Sequence, residues 1–262
     1  MLRDATNVVV HLAPAPLVAR VSLTLGPARG TASLEDEVAF AAHAVARGAR
    51  VVPPATLLPP GPHASNGFEL TFWDHVAIAG EVDAGAAGRE LRKLHDAVAD
   101  FPRELPAFDR LDEAEGVIAG LQPASFADAD DLAALRRALV VARERLAGLD
   151  VVIQPLHGDA HLGNVLQIAS GPLWSDLENV CAGPREYDVA CLAWRERVHG
   201  NPVGQALAGY GPYDTDLVEA LMPALGVFLA AWTIVIVRRR PSLASARYGQ
   251  ERLRYVHELA RG

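Results

Sequence analysis

His157-Gly158-Asp159-Ala160-His161-Leu162-Gly163-Asn164 runs directly into Val165-Leu166-Gln167-Ile168-Ala169-Ser170-Gly171-Pro172-Leu173-Trp174-Ser175-Asp176-Leu177-Glu178. Two short apolar runs, Val165–Ile168 and 172–175, flank Ser170-Gly171, a pattern that predicts a hairpin turning at the serine and glycine. About a centre near residue 170, positions whose numbers sum to about 340 oppose one another, so Asn164 and Asp176 meet at the hairpin's open end. Cβ atoms of such a pair lie roughly 5 Å apart.

An amide oxygen and a carboxylate held that close are hard oxygen donors suited to magnesium, which takes one or two carboxylates and fills its shell with water and phosphate oxygens. Asp159 lies on the loop entering the same hairpin. A carboxylate there can accept and orient a hydroxyl proton as a metal-bound phosphoryl group arrives, the division of labour of kinase-type phosphoryl transfer. Glu178 is either a further metal ligand or a solvated loop charge. His157 and His161 read as hydrogen-bonding residues of the loop.

Outward from this block the pattern is helical. Leu91, Leu94, His95 and Val98 mark one buried face of a helix over 88–99, and further helices are expected near 109–121, 128–147, 185–199, 214–238 and 243–260. The first third is strand-rich. Strands over 7–12 and 17–23 flank Pro14 and Pro16, and another spans 67–72. One helix intervenes, starting at Ser33 as cap with Glu35, Asp36 and Glu37 in its first turn, and ending near Arg47 with Gly48 beyond it. The expected fold class is therefore α+β, with a boundary that assigns 1–75 to a small strand-rich domain and 76–262 to a larger helical one.

Composition narrows the functions. The chain has 262 residues and a net charge of −8, is 50% hydrophobic and 21% charged, and so resembles ordinary globular proteins. The acidic balance, with no long basic stripe, argues against a nucleic-acid partner. Cys181 and Cys191 lack zinc-ligand spacing and suit a reducing cytoplasm, and Met1-Leu2-Arg3-Asp4 lacks the apolar core of an export signal. The uncharged stretch 220–237 is interrupted by Pro223, Gly226 and Thr233, which favours a buried core helix over a membrane span. Lys93 is the only lysine, so a mechanism that needs a cation must use it or an arginine.

The 157–164 run, Asp176-Leu177-Glu178 and then Gly183-Pro184-Arg185-Glu186-Tyr187-Asp188, in that order and spacing, resembles the aminoglycoside phosphotransferase (choline kinase-like) family of small-molecule kinases. The resemblance implies a protein-kinase-like bilobal fold, with 1–75 as nucleotide-binding lobe and 76–262 as catalytic and substrate-binding lobe. It makes Asp159 the catalytic base, Asn164, Asp176 and in some relatives the position of Glu178 the magnesium ligands, and Asp188 a support for the catalytic loop. In that fold a basic residue on the third strand reaches the nucleotide phosphates and pairs with a glutamate on the next helix. Here those places fall to Arg20 and Glu37, arginine replacing the usual lysine, while Lys93 reads as a helix-surface residue.

No glycine precedes Gly26, so the glycine-rich phosphate cover is expected to be reduced and the small lobe truncated at its front. The backbone of 68–76 is expected to meet the base edge, with Trp73 or Phe72 beside the ring. The expected activity is transfer of the γ-phosphoryl group of ATP or GTP to a hydroxyl of a small molecule, an aminoglycoside, amino alcohol or sugar, in the cytoplasm and without a membrane partner. The alternative is a kinase-like binding protein with weak or no turnover. Asp214, Asp216 and Glu219 either greet a cationic acceptor or complement a helix dipole.

Overall fold

The computed structural model describes residues 3–4, 7–23, 31–239 and 242–262. Strands β1 (Arg3–Asp4), β2 (Asn7–His11) and β3 (Leu17–Ser22) precede helix α1 (Thr31–Ala46), then β4 (His63–Ser65) and β5 (Phe68–Asp74). Helices α2 (Ala84–Ala97), α3 (Leu111–Gly120) and α4 (Ala129–Leu146) follow, then β6 (Gln154–Leu156), β7 (Val165–Ile168), β8 (Gly171–Trp174) and β9 (Cys181–Gly183). Helices α5 (Glu186–His199), α6 (Gly204–Tyr210), α7 (Thr215–Arg239) and α8 (Leu243–Leu259) complete the chain. This is the expected α+β, protein-kinase-like composition of a strand-rich front and a helical remainder.

The chain divides into two compact units, Met1–Leu105 with Gln154–Ala182 and Gly204–Pro212, and Pro106–Ile153 with Gly183–Val203 and Tyr213–Gly262. The first unit thus runs past the boundary expected after residue 75 and takes in the β7–β8 hairpin. Hydrogen bonds explain why. The Trp174 indole N–H donates to the carbonyl of Ala87 on α2, and the Trp174 backbone exchanges bonds with Arg50 and Val52.

Within the first unit an antiparallel five-stranded sheet has the order β1-β2-β3-β5-β4. Helix α1 begins two residues before Ser33, so that serine sits inside the first turn rather than capping it; the Thr31 hydroxyl instead ties the helix start to Glu69. At its other end Gly48 adopts φ +79° as expected. Helix α2 is capped by Asp83, which accepts from the Ala86 N–H at 2.8 Å, and buries Ala87, Gly88, Leu91, Leu94 and His95. Short α6 packs on it so closely that a Cβ on Gly88 would stand 1.9 Å from the Ala206 carbonyl oxygen.

In the second unit α7 packs against α3, α4, α5 and α8. It is long and apolar enough to cross a membrane, with mean hydropathy 2.3 over its best window, yet 78% of that window is buried by its own neighbours. Asp214 accepts from the amides of Asp216 and Leu217 at the start of α7, and Glu219 pairs with Arg197 at 2.5 Å, so both side chains are engaged within the unit. Asp188 is fully buried on α5.

Candidate active site

Strand alternation creates the site's wall. Val9 faces Arg20 and Arg20 faces Thr71 across β2, β3 and β5, while Val18 faces Trp73, so these side chains share one face of the sheet. Asn7, Val9, Val18, Arg20 and Trp73 line a cavity of about 600 Å³, closed elsewhere by Val52, Ile78, Leu166 and Leu177. Of the two aromatic candidates, Trp73 therefore reaches the cavity, and Phe72 turns to His63 instead. At the end of β5 the Asp74 N–H is donated to the Pro53 carbonyl and the following His75 N–H to that of Pro16, and His75 and Val76 continue the cavity wall.

The catalytic-loop sequence folds around a fixed histidine. His157 is fully buried; its Nδ1 accepts the Asp159 N–H at 3.3 Å and its Nε2 lies 3.1 Å from the Ser175 carbonyl. A backbone N–H can only donate and a carbonyl only accept, so the ring is the neutral Nε2–H tautomer and ties the loop to the end of β8. Gly158 follows with φ +78°, where a Cβ would stand 1.8 Å from the Asn179 carbonyl oxygen, so glycine alone fits between them. The turn presents Asp159, whose carboxylate lies 3.7 Å from His161 Nε2 and remains about one-third exposed at 30%. His157 and His161 thus act as hydrogen-bonding residues of the loop, as the sequence implies.

Asn164 is buried, and its Nδ2 donates to the Asp159 carbonyl at 3.0 Å and approaches Asp159 Oδ2 at 3.4 Å. That commits the amide nitrogen to Asp159 and turns the amide oxygen the other way. The hairpin register differs from expectation by one. Val165 faces Trp174 and Ile168 faces Gly171, so paired numbers sum to 339 and Asn164 faces Ser175, whose N–H donates to the Asn164 carbonyl at 2.8 Å. Simple alternation would send Asp176 to the opposite side. It adopts φ +64°, a conformation that asparagine and aspartate tolerate better than most residues, and its carboxylate lines the cavity.

Arg20 and Glu37 meet as the strand-and-helix reading expects, Nη1 lying 2.6 and 2.5 Å from the two carboxylate oxygens. Nη2 contacts Asp176 Oδ1 at 3.2 Å and also donates to Glu178 Oε2. Glu178 is therefore an ion-pair partner in this structure rather than a solvated loop charge. Burial alone would lower the Arg20 pKa, but Glu37, Glu178 and Asp176 together hold it above the ordinary arginine value. Burial pushes Glu37 up to about 7; Arg20 pulls it down, while Glu178 and Asp176 reinforce the rise. Among the described residues the cluster sets three carboxylates against one guanidinium, a shortage of positive charge.

That shortage and the donor chemistry fit a hard divalent cation at Asn164 and Asp176, with Glu178 alongside. No group of three or more His, Cys, Asp or Glu disposed for a metal occurs among the described residues, so such a site needs the Asn164 amide oxygen too. Lys93 pairs with Glu90 on the exposed side of α2, away from this chemistry. Sequence reasoning missed Asn7, whose Nδ2 donates to Glu178 Oε2 at 2.8 Å. The available signal was alternation, since Asn7 shares a strand face with Val9.

A sequence model of the phosphotransferase enzyme family (APH) matches residues 3–259. No curated protein matches the chain. Among solved structures, the amicoumacin kinase hAmiN in complex with AMP-PNP, Ca2+ and Ami aligns with TM-score 0.72 at 11% identity, over 98% of this chain and 87% of that one. A choline/ethanolamine kinase family protein from Mesorhizobium loti aligns with TM-score 0.69 at 18% identity, over 98% and 86%. The spectinomycin phosphotransferase APH(9)-Ia, in complex with ADP and spectinomycin, aligns with TM-score 0.65 at 13% identity, over 99% and 90%. At these identities the shared property is the fold.

Proposed function

Because the chain belongs to the phosphotransferase enzyme family, we propose that it is a cytoplasmic small-molecule kinase that moves the γ-phosphoryl group of ATP or GTP to a hydroxyl group. The observation that carries this reading is the Asp159–Asn164 contact placed in one unit with the Arg20–Glu37–Asp176 cluster. The base lies between the apolar side chains of the cavity, its edge toward the backbone of Val76, because the preceding two amides are already engaged. Arg20 meets the phosphates with the two-pronged geometry of a guanidinium. Asn164, Asp176 and Glu178 supply oxygens for magnesium, which when bound neutralises phosphate charge. Asp159 accepts the proton of the acceptor hydroxyl and aims its oxygen at phosphorus. The acceptor class proposed is a hydroxyl compound of the aminoglycoside, amino alcohol or sugar type.

The second reading, a nucleotide-binding protein without turnover, is favoured by one observation: Arg20 already engages Asp176 and Glu178, two of the three cation ligands. A nucleotide-consumption screen over amine-bearing and neutral hydroxyl compounds separates the two. Asp159→Asn should lower turnover by about 100-fold or more while nucleotide binding persists. Undiminished turnover in that variant would refute the base assignment. Nucleotide binding with no consumption for any acceptor would favour the binding protein.

A further inference from the structure

We propose that Asn7 is a positioning residue for the nucleotide phosphates, acting through Glu178 on the guanidinium of Arg20. This rests on the nucleotide reading of the cavity and adds a residue that none of the motifs marks. Asn7 opens β2 and is paired in register with Ser22 of β3, so its backbone is fixed by the same sheet that carries Arg20. Its side chain points to the Arg20 face and is 4% exposed. Nδ2 donates to Glu178 Oε2 at 2.8 Å, and the same oxygen receives Arg20 Nη2. A carboxylate oxygen can only accept, so the amide's orientation follows from chemistry.

The opposite atom, Asn7 Oδ1, is buried without a hydrogen-bond partner among the described residues. Leaving an acceptor unpaired in the interior costs stability, and an apolar residue like its face neighbours Val9 and Val18 would avoid that cost. Packing alone therefore does not account for an asparagine here. Its bond to Glu178 does. Arg20 is held on one edge by Glu37 and on the other by Asp176 and Glu178. When phosphate oxygens draw on the same guanidinium, its plane stays in place only if those carboxylates stay in place. Glu37 is anchored by burial in α1, and Glu178 lies between β8 and β9, where Asn7 donates to the same oxygen that Arg20 reaches. Asn7 thereby restrains a carboxylate that restrains Arg20, so the binding geometry exists before the nucleotide arrives.

The test measures the Kd of AMP-PNP with magnesium by calorimetry, with melting temperatures taken without nucleotide. Asn7→Ala should weaken binding about tenfold, with the kinetic loss larger in KM than in kcat. Asn7→Asp should weaken it further, because two carboxylates then face each other. In a Glu178→Ala background Asn7→Ala should cost no more than about twofold further affinity, because the route through Glu178 is already gone. A purely structural role would lower melting temperatures and leave the full loss of about tenfold in that background. If Asn7→Ala does not fold, Asn7→Ser, whose hydroxyl falls short of Glu178, replaces it. Wild-type affinity in the alanine or serine variant, or an undiminished loss of about tenfold in the Glu178→Ala background, would overturn the role of Asn7 alone. Absence of AMP-PNP binding to the wild type at millimolar concentration would overturn the nucleotide reading and this role with it.

Discussion

Arg20 shows how much one residue can decide. Its two terminal nitrogens reach in different directions, Nη1 to Glu37 and Nη2 to Asp176 and Glu178. A lysine ends in a single ammonium and cannot span both groups at once. Arg20→Lys, although it restores the residue usual in kinase-like folds, should therefore raise the nucleotide Kd about tenfold and lower stability by about 1–3 kcal/mol, measured by calorimetry and by urea titration. Unchanged affinity would mean that a point charge suffices. Glu37 carries a pH signature as well. Burial raises its folded pKa from 4.5 to about 7, so between those values the folded protein retains a proton the unfolded chain has released. Its contribution is fully present below pH 4.5 and is lost as pH rises through about 7. Denaturant titrations from pH 4.5 to 7.5 should show this decline, on the order of 1–3 kcal/mol, and Glu37→Gln should flatten it. An equal slope in that variant would assign the decline to other groups.

At the scale of elements, legibility followed the strength of the local pattern. The long helices are readable because apolar spacing and caps agree: α4 starts at a capping box of Asp128 and Asp131, and α5 and α7 begin within a residue or so of expectation. Helix α6 was not readable, because Gly-Gln-Ala-Leu-Ala-Gly-Tyr has weak propensity and forms where its small residues let it approach Gly85 and Gly88 of α2. Two juxtapositions were legible, Asp159 beside Asn164 from their spacing and Arg20 against Glu37 from the family resemblance. The hairpin register was not. The turn of the β7–β8 hairpin is Ala169-Ser170 rather than Ser170-Gly171, and no periodicity reveals that Asp176 leaves the strand conformation and turns its carboxylate back to the cavity. Nor could a sequence show that Glu178 and Asn7 meet, since their contact joins residues 171 positions apart. Such pairings depend on how the sheet and the hairpin come together, a tertiary property that local pattern does not encode.

At the scale of the whole chain, every described side chain of the candidate site and every residue lining its cavity belongs to the first compact unit, although the chain leaves and re-enters that unit. Ligand linkage stabilises whatever cooperative structure holds the site, by about 2.7 kcal/mol when nucleotide stands at 100 times its Kd. Units that open separately do not share that gain. Hydrogen exchange with and without magnesium nucleotide should therefore slow over 7–23, 31–46 and 157–178 and leave 111–120 and 215–239 within about twofold of their free rates. Protection at the second unit's helices equal to that at the hairpin would show the two units opening as one, and would remove the confinement of binding energy to the first. Protection at neither would leave the cavity without its nucleotide. The prediction discriminates because α7, with mean hydropathy 2.3 over its best window, is buried largely by the other helices of its own unit. Its exchange is already governed by that helical core, so any added protection there has to come from coupling between units rather than from contact with the nucleotide.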